Sequence, residues 1–325
     1  MITTVVGSYP KIPPSGPGVP SLRNSIHLFD EGKISLAQLQ QVQDQNTLDV
    51  INEQVRAGID LVTDGQVRWD DAQTYVAGRI EGFTLSGLVR WFDTNTYYRQ
   101  PVCQGRLAWK GPASVRDYKF AAEHSPRPVK AVITGPYTLA RLSMNSHYKS
   151  FRSFALELAQ VLNQEAKALQ QAGATFIQFD EPAIVRNKGD FRLFREAMTL
   201  LGTGLTVKTA LYTYFGDIAG MYPEFLELPF NVFGLDFVMG HAHWNLLRDF
   251  PSDRELGLGI MDARNTRMET VEEIVQAVQR ISRVVPPSRL YLNPSCGLEF
   301  LPRSSAYQKL TRMVEGSRTA QEVLV

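Results

Sequence analysis

The chain has 325 residues, 44% hydrophobic and 21% charged, enough to bury a full core as one large α/β unit or two ordinary domains. A formal net charge of +1 with no Lys/Arg run excludes electrostatic capture of nucleic acid, and no apolar run approaches the roughly 18–20 residues that cross a bilayer. Cys103 and Cys296 are too few for a disulfide framework, and the N-terminus lacks the basic-then-apolar layout of a signal peptide, so a cytoplasmic location is expected.

The chain opens on a β-rich run, Thr3–Gly7, followed by a Pro/Gly-rich loop, Pro10–Pro20. Leu36–Ala57 carries apolar residues at helical spacing and stops at Gly58, and Ile59–Asp64 then reads as a strand. A long, aromatic-rich insertion at about 84–123 precedes the strand Lys130–Gly135. The helix Phe151–Ala172 ends at Gly173, where a glycine cap belongs. Apolar strands follow at Thr175–Glu181, Thr206–Tyr212, Val232–Val238 and Leu256–Asp262. Thr270–Val284 opens on Thr270-Val271-Glu272-Glu273, close to a capping box, and the strand Arg289–Cys296 and the helix Ser304–Val314 complete the pattern.

Eight strands alternating with helices predict an α/β fold, a single (β/α)₈ TIM barrel over residues 1–325. A doubly wound sheet is the competing fold, but no Gly-x-Gly-x-x-Gly follows any strand. A barrel works at the carboxyl ends of its strands. There the sequence places Ser8, Asp64, Gln66, Thr134, Asp180, Glu181, Tyr212, Tyr214, Asp217, Asp236, His241, His243, Asp262, Arg264, Asn293 and Cys296. Any one of them has an ordinary alternative as a helix cap or turn residue. Their concentration on one rim suits a small polar substrate. In Asp180-Glu181-Pro182 the adjacent carboxylates face different ways, one toward a ligand amine and one toward the barrel wall. His241-Ala242-His243 has spacing that would chelate a metal with Asp236 or Cys296; the alternative is one histidine bonded to a loop carbonyl and the other exposed. Cys296 is either a thiolate or a small buried side chain.

Together these segments resemble the cobalamin-independent methionine synthase family. Val5-Val6-Gly7-Ser8-Tyr9-Pro10 resembles its opening motif, and Val62-Thr63-Asp64-Gly65-Gln66 its Asp-Gly-Glu turn. Thr134-Gly135-Pro136-Tyr137-Thr138, Ile177-Gln178-Phe179-Asp180-Glu181-Pro182-Ala183 and Asn293-Pro294-Ser295-Cys296-Gly297-Leu298 match in order and strand placement. The resemblance implies methyl transfer, usually from a methyltetrahydrofolate, to homocysteine, with zinc holding the thiolate. With the strand-end pattern, this sets the expected substrate contacts as Gly7, Ser8, Asp64, Gln66, Asp180, Glu181, Asp262 and Arg264, and the expected chemistry as Asp236, His241, Tyr212 and Cys296.

The zinc pattern survives only in part. Cys296 matches one ligand and Asp236 stands for a glutamate, but the family's His-x-Cys pair falls on Ala210-Leu211-Tyr212. Gln66 replaces a glutamate that meets the homocysteine amine, and Arg264 stands at the catalytic histidine's position. No tightly bound cofactor is therefore expected; a metal, if held, would fall to Asp236, His241, His243 and Cys296. Trp91-Phe92-Asp93-Thr94-Asn95, Leu211-Tyr212-Thr213-Tyr214-Phe215-Gly216, Leu235-Asp236-Phe237-Val238-Met239-Gly240-His241 and Gly259-Ile260-Met261-Asp262-Ala263-Arg264-Asn265 are similar to the family's N-terminal, zinc-free barrel. Two further readings stay open: an auxiliary barrel that binds a folate or amino acid or pairs with a zinc-bearing partner barrel, and a metal-free enzyme of changed chemistry.

Overall fold

In the computed structural model, which describes residues 1–11 and 21–324, seven strands form one parallel, curled sheet. They are β1 (Ile2–Thr3), β4 (Ala131–Thr134), β6 (Phe176–Asp180), β7 (Lys208–Thr213), β8 (Val232–Asp236), β9 (Glu255–Met261) and β10 (Leu290–Pro294). The order is β1-β10-β9-β8-β7-β6-β4. Apart from exposed Ile2 and half-buried Lys208, Glu255 and Ile260, these strands are buried, as two-sided cover demands of a parallel sheet.

Between the sheet's two edges runs the segment expected as the second strand. It makes only isolated parallel bridges, Thr4 to Leu61 and Val62 to Val129, rather than a ladder. The reason lies in Gln54 of helix α2 (Leu36–Ala57; α1 is Leu22–Asp30). Its amide bonds both backbone groups of Thr63, at 3.0 and 2.9 Å, and so draws the chain from the neighbouring strands onto the helix.

The helices follow from local chemistry. Gly58 closes α2 in the left-handed region, φ 91°, and Gly173 does so after α6 (Phe151–Gln171), φ 96°. Thr270 and Glu273 form a full capping box on α9 (Val271–Ser282), whose buried stripe is Ile274, Val278 and Ile281. The last helix, α10 (Arg303–Leu324), extends well past the expected Val314. Helices α5 (Pro136–Arg141), α7 (Phe191–Gly202) and the short α8 (His243–Leu246) complete the set near the sheet. Most of the loop Pro10–Pro20 lies outside the described residues.

The insertion is not a long loop. After the short α3 (Ala72–Ala77), β2 (Ile80–Arg90) and β3 (Tyr97–Trp109) pair antiparallel, and β3 adds β5 (Met144–Asn145) in parallel. Helix α4 (Val115–His124) returns the chain to the sheet. Tyr98, Cys103 and Leu107 anchor β3 to the core, whereas β2 is largely exposed. Among the described residues, no helix is long and apolar enough to cross a membrane.

Candidate active site

A cavity of about 350 Å³ opens at the carboxyl ends of the strands. Ser8, Gln66, Asp180, Tyr214, Gly297 and Glu299 line its inner side, and Trp69, Trp91, Tyr97 and Tyr98 its outer side. Gln66 reaches it through a tight turn. Gly65 and Gln66 are both left-handed, φ 68° and 52°, and the Asp64 carboxylate accepts the Gln66 N–H at 3.1 Å. A side chain at Gly65 would collide with Val50, so only glycine permits this turn. Asp64 itself points away from the cavity, and burial raises its carboxyl to about 6.

Asp180 and Glu181 part company at the end of β6. Glu181 turns to the start of α5 and accepts the backbone N–H groups of Tyr137 and Thr138 at 2.8 and 2.7 Å, capping a helix that opens on glycine and proline. Burial pushes it to about 8. Asp180 faces the cavity. Gln178 donates to its Oδ1 at 2.7 Å and Tyr214 to its Oδ2 at 3.4 Å, and burial raises it to about 7.

Opposite stands Glu299, which the strand-end reading does not include although it follows the matched Cys296-Gly297-Leu298 segment directly. Its carboxylate accepts from the Ser8 hydroxyl, and burial raises its proton affinity. This pair closes over Gly297, where a Cβ would overlap both side chains. Lys11 also reaches the cavity and donates to the Trp69 carbonyl; burial lowers its proton affinity, and Asp70, Glu299 and Asp71 oppose that.

The remaining candidates lie elsewhere. Tyr212 is not at the rim: its ring crosses the inner face of the curled sheet over Gly234 and Gly257, neither of which has room for a Cβ, and its hydroxyl lies 3.4 Å from Asn293. Asp236 is 1% exposed, and its carboxylate accepts three backbone N–H groups, from Phe215, Val238 and Met239, at 3.0, 2.8 and 2.9 Å. Burial still raises it to about 6. His243 is fully buried, with Nδ1 on the Asp236 carbonyl at 2.8 Å and Nε2 accepting the Ile218 N–H at 3.1 Å; burial lowers it to about 4. His241 is exposed. Cys296 is a buried thiol whose proton affinity burial raises well above the ordinary value. The conditional metal set of Asp236, His241, His243 and Cys296 is therefore not assembled: both His243 nitrogens and both Asp236 oxygens are spent on backbone, and His241 points out. No cluster of three metal-ligating side chains occurs among the described residues.

Asp262 and Arg264 are separated from the cavity as well. The Asp262 carboxylate accepts the Arg264 N–H at 2.9 Å and lines a second groove beside α9. Arg264 reaches over Phe215 to the tip of the β2–β3 hairpin, donating to the Asp93 carbonyl at 3.2 Å. Arg186 meets the Asp93 carboxylate at 3.0 Å from another side, and Phe92 packs on Phe215 with ring centres 5.4 Å apart. The insertion thus covers the mouth and supplies Trp91, Thr96, Tyr97 and Tyr98 to the cavity.

The family profile for the catalytic domain of cobalamin-independent synthase matches residues 1–319. The chain belongs to the cobalamin-independent methionine synthase family. It is 36% identical to a methionine synthase of Saccharolobus solfataricus across 99% of this chain and 95% of that one. A methionine synthase of Sulfurisphaera tokodaii is 37% identical across 99% and 93%. The fold is similar to that of a B12-independent methionine synthase from Shewanella sp. W3-18-1 solved in complex with selenomethionine, with TM-score 0.84, 23% identity, and 99% and 98% of the two chains covered. A putative vitamin-B12 independent methionine synthase from Listeria monocytogenes gives TM-score 0.75 at 17% identity over 99% of each chain.

The family's zinc does not fit the residues present. At the positions where the resemblance places its ligands, Ala210 offers no donor atom, the Tyr212 ring packs over Gly234 and Gly257, and both Asp236 oxygens already accept backbone N–H groups.

Proposed function

We propose that the chain is a methyltransferase that moves a methyl group from a methyltetrahydrofolate to the thiol of L-homocysteine, in the cavity beneath the hairpin. The observation that carries this reading is the pair of carboxylates, buried Asp180 and half-buried Glu299, converging with the Ser8 and Tyr214 hydroxyls on one cavity at the strand ends. A carboxylate in a dry cavity is a strong partner for an ammonium group, and Asp180 takes that role. Among the described residues, Lys11 is the cation lining the cavity, placed for an amino-acid carboxylate. The wall of Trp69, Trp91, Tyr97 and Tyr98 suits a flat heteroaromatic donor.

Sulfur attacks best as a thiolate, and a carboxylate whose proton affinity is raised by burial is a stronger base than an exposed one. In this scheme Glu299 takes the thiol proton, the S–CH₃ bond forms as the N–CH₃ bond breaks, and the folate nitrogen takes up a proton. The fold behind it is proposed as one complete (β/α)₈ barrel over residues 1–325, with the 59–63 segment closing the ring between Thr4 and Val129. A cytoplasmic location fits small soluble substrates.

The misfit of the zinc positions favours a second reading, an auxiliary barrel that binds the amino acid or folate beside a zinc-bearing partner. Purified protein incubated with L-homocysteine and methyltetrahydrofolate separates the two, with methionine followed by mass spectrometry and Asp180→Ala as control. Methionine formed by wild type alone supports the methyltransferase. Binding of either compound without methionine supports the auxiliary barrel, and neither result leaves both readings without support.

A further inference from the structure

Beneath the cavity lies a buried lysine that the scheme above does not use. Lys130, just ahead of β4, is 1% exposed, and its ammonium group donates to the Gln178 side-chain oxygen at 2.6 Å. The Tyr212 ring centre lies 5.0 Å away. Gln178, fully buried on β6, turns its NH₂ to two acceptors at 2.7 Å each, the Val6 carbonyl and Asp180 Oδ1. An ammonium group can only donate, so it fixes which end of the amide faces it; the NH₂ end is then committed to Asp180. A buried charge with an amide oxygen as its hydrogen-bond acceptor is a poor way to hold a barrel together, because an apolar side chain of similar volume would pack there without desolvation. The charge has a use in what it does to its neighbours.

We propose that Lys130 is a positioning residue for Asp180: acting through Gln178, it holds the Asp180 carboxylate as an oriented anion facing the cavity, ready to receive the ammonium group of an amino-acid substrate. This rests on reading the cavity as an amino-acid site. The other groups facing Asp180 are Glu181 beside it, Tyr212 and Tyr214 from β7 and its end, and Glu299 from the loop after β10. Asp64 shares a small internal space with Lys130. Lys130 is the cation that offsets the effect of burial on Asp180, and Lys11 lines the same cavity. Burial raises Asp180 and lowers Lys130, and each charge partly offsets the effect on the other.

The test is the titration of the Asp180 carboxyl carbon by ¹³C NMR, assigned with Asp180→Asn, in wild type, Lys130→Met and Gln178→Leu. Removing either link is expected to raise the Asp180 midpoint by about one pH unit or more. Calorimetry with L-homocysteine should show affinity at pH 7 falling roughly tenfold in both variants and recovering at higher pH, while a variant with merely looser packing would lose affinity at every pH. Gln178→Leu retains Lys130, so the relay stays testable if Lys130→Met does not fold. In wild type itself, the Lys130 Cε resonance should shift in step with the Asp180 carboxyl. An Asp180 titration unchanged in a folded variant overturns the relay. A shifted titration in a protein that binds no L-homocysteine upholds the relay and overturns the amino-acid reading instead.

Discussion

Asp180 and Asp236 end two parallel strands with only β7 between them, and both are buried carboxylates raised by burial, to about 7 and about 6. Asp180 receives side-chain donors and keeps an edge on the cavity. Asp236 receives three backbone N–H groups from two loops and lines no part of it. The difference extends to their surroundings: Ser8, Gln66, Tyr214 and Glu299 gather with Asp180 around the cavity, while His243 and Cys296 are packed into the body beside Asp236. A polar residue at a strand end is free for substrate only where the following loop does not need it to pair its own backbone.

The sharpest way to break this comparison is Asp236→Ala, which removes the acceptor of three loop N–H donors, that of buried Phe215 among them. A loss of about 3–5 kcal/mol in urea unfolding is expected. Near-normal stability with abolished methionine formation would move the chemistry to that side.

His243 gives the same half a pH signature. Its folded value, about 4, lies below the ordinary 6.5, so the unfolded chain binds the extra proton. Stability from this group is present above pH 6.5 and is lost as pH falls toward 4, on the order of 3 kcal/mol. Urea midpoints across that window, compared with His243→Gln, should show a shallower acid loss in the variant. Equal slopes would remove the histidine from the account.

On the open side, Asp180→Asn is expected to lower kcat/KM about 100-fold, with a stability change under about 1 kcal/mol. A large loss of stability with unaltered kinetics would make Asp180 structural, like Asp236. The smallest effect belongs to the hairpin tip. Asp93→Ala breaks half-exposed contacts with Arg186 and Arg264 and should raise the KM for homocysteine about two- to threefold, an effect that shrinks as salt weakens the wild-type contacts. No change at low salt would mean that Phe92 on Phe215 holds the tip by itself.

The sequence determined the elements whose information is local. Apolar runs marked the strands, Gly58 and Gly173 the ends of two long helices, and Thr270 with Glu273 the start of a third. Short motifs around Ser8, Asp180 and Cys296 also placed the family. What the residues at those strand ends do was decided only in three dimensions. Tyr212 has the sequence position of a rim residue, yet glycines on β8 and β9 let its ring lie across the inner face of the sheet. Glu299 lies outside the strand-end pattern and reaches the cavity because Gly297 lets Ser8 approach. The tip at Asp93 meets Arg264 across 171 residues, and Gln178 bonds Val6 across 172. Hydrogen-bond partners so distant in the chain leave no periodicity to read. Whether a carboxylate binds substrate or caps a loop depends on which donors the fold brings to it first.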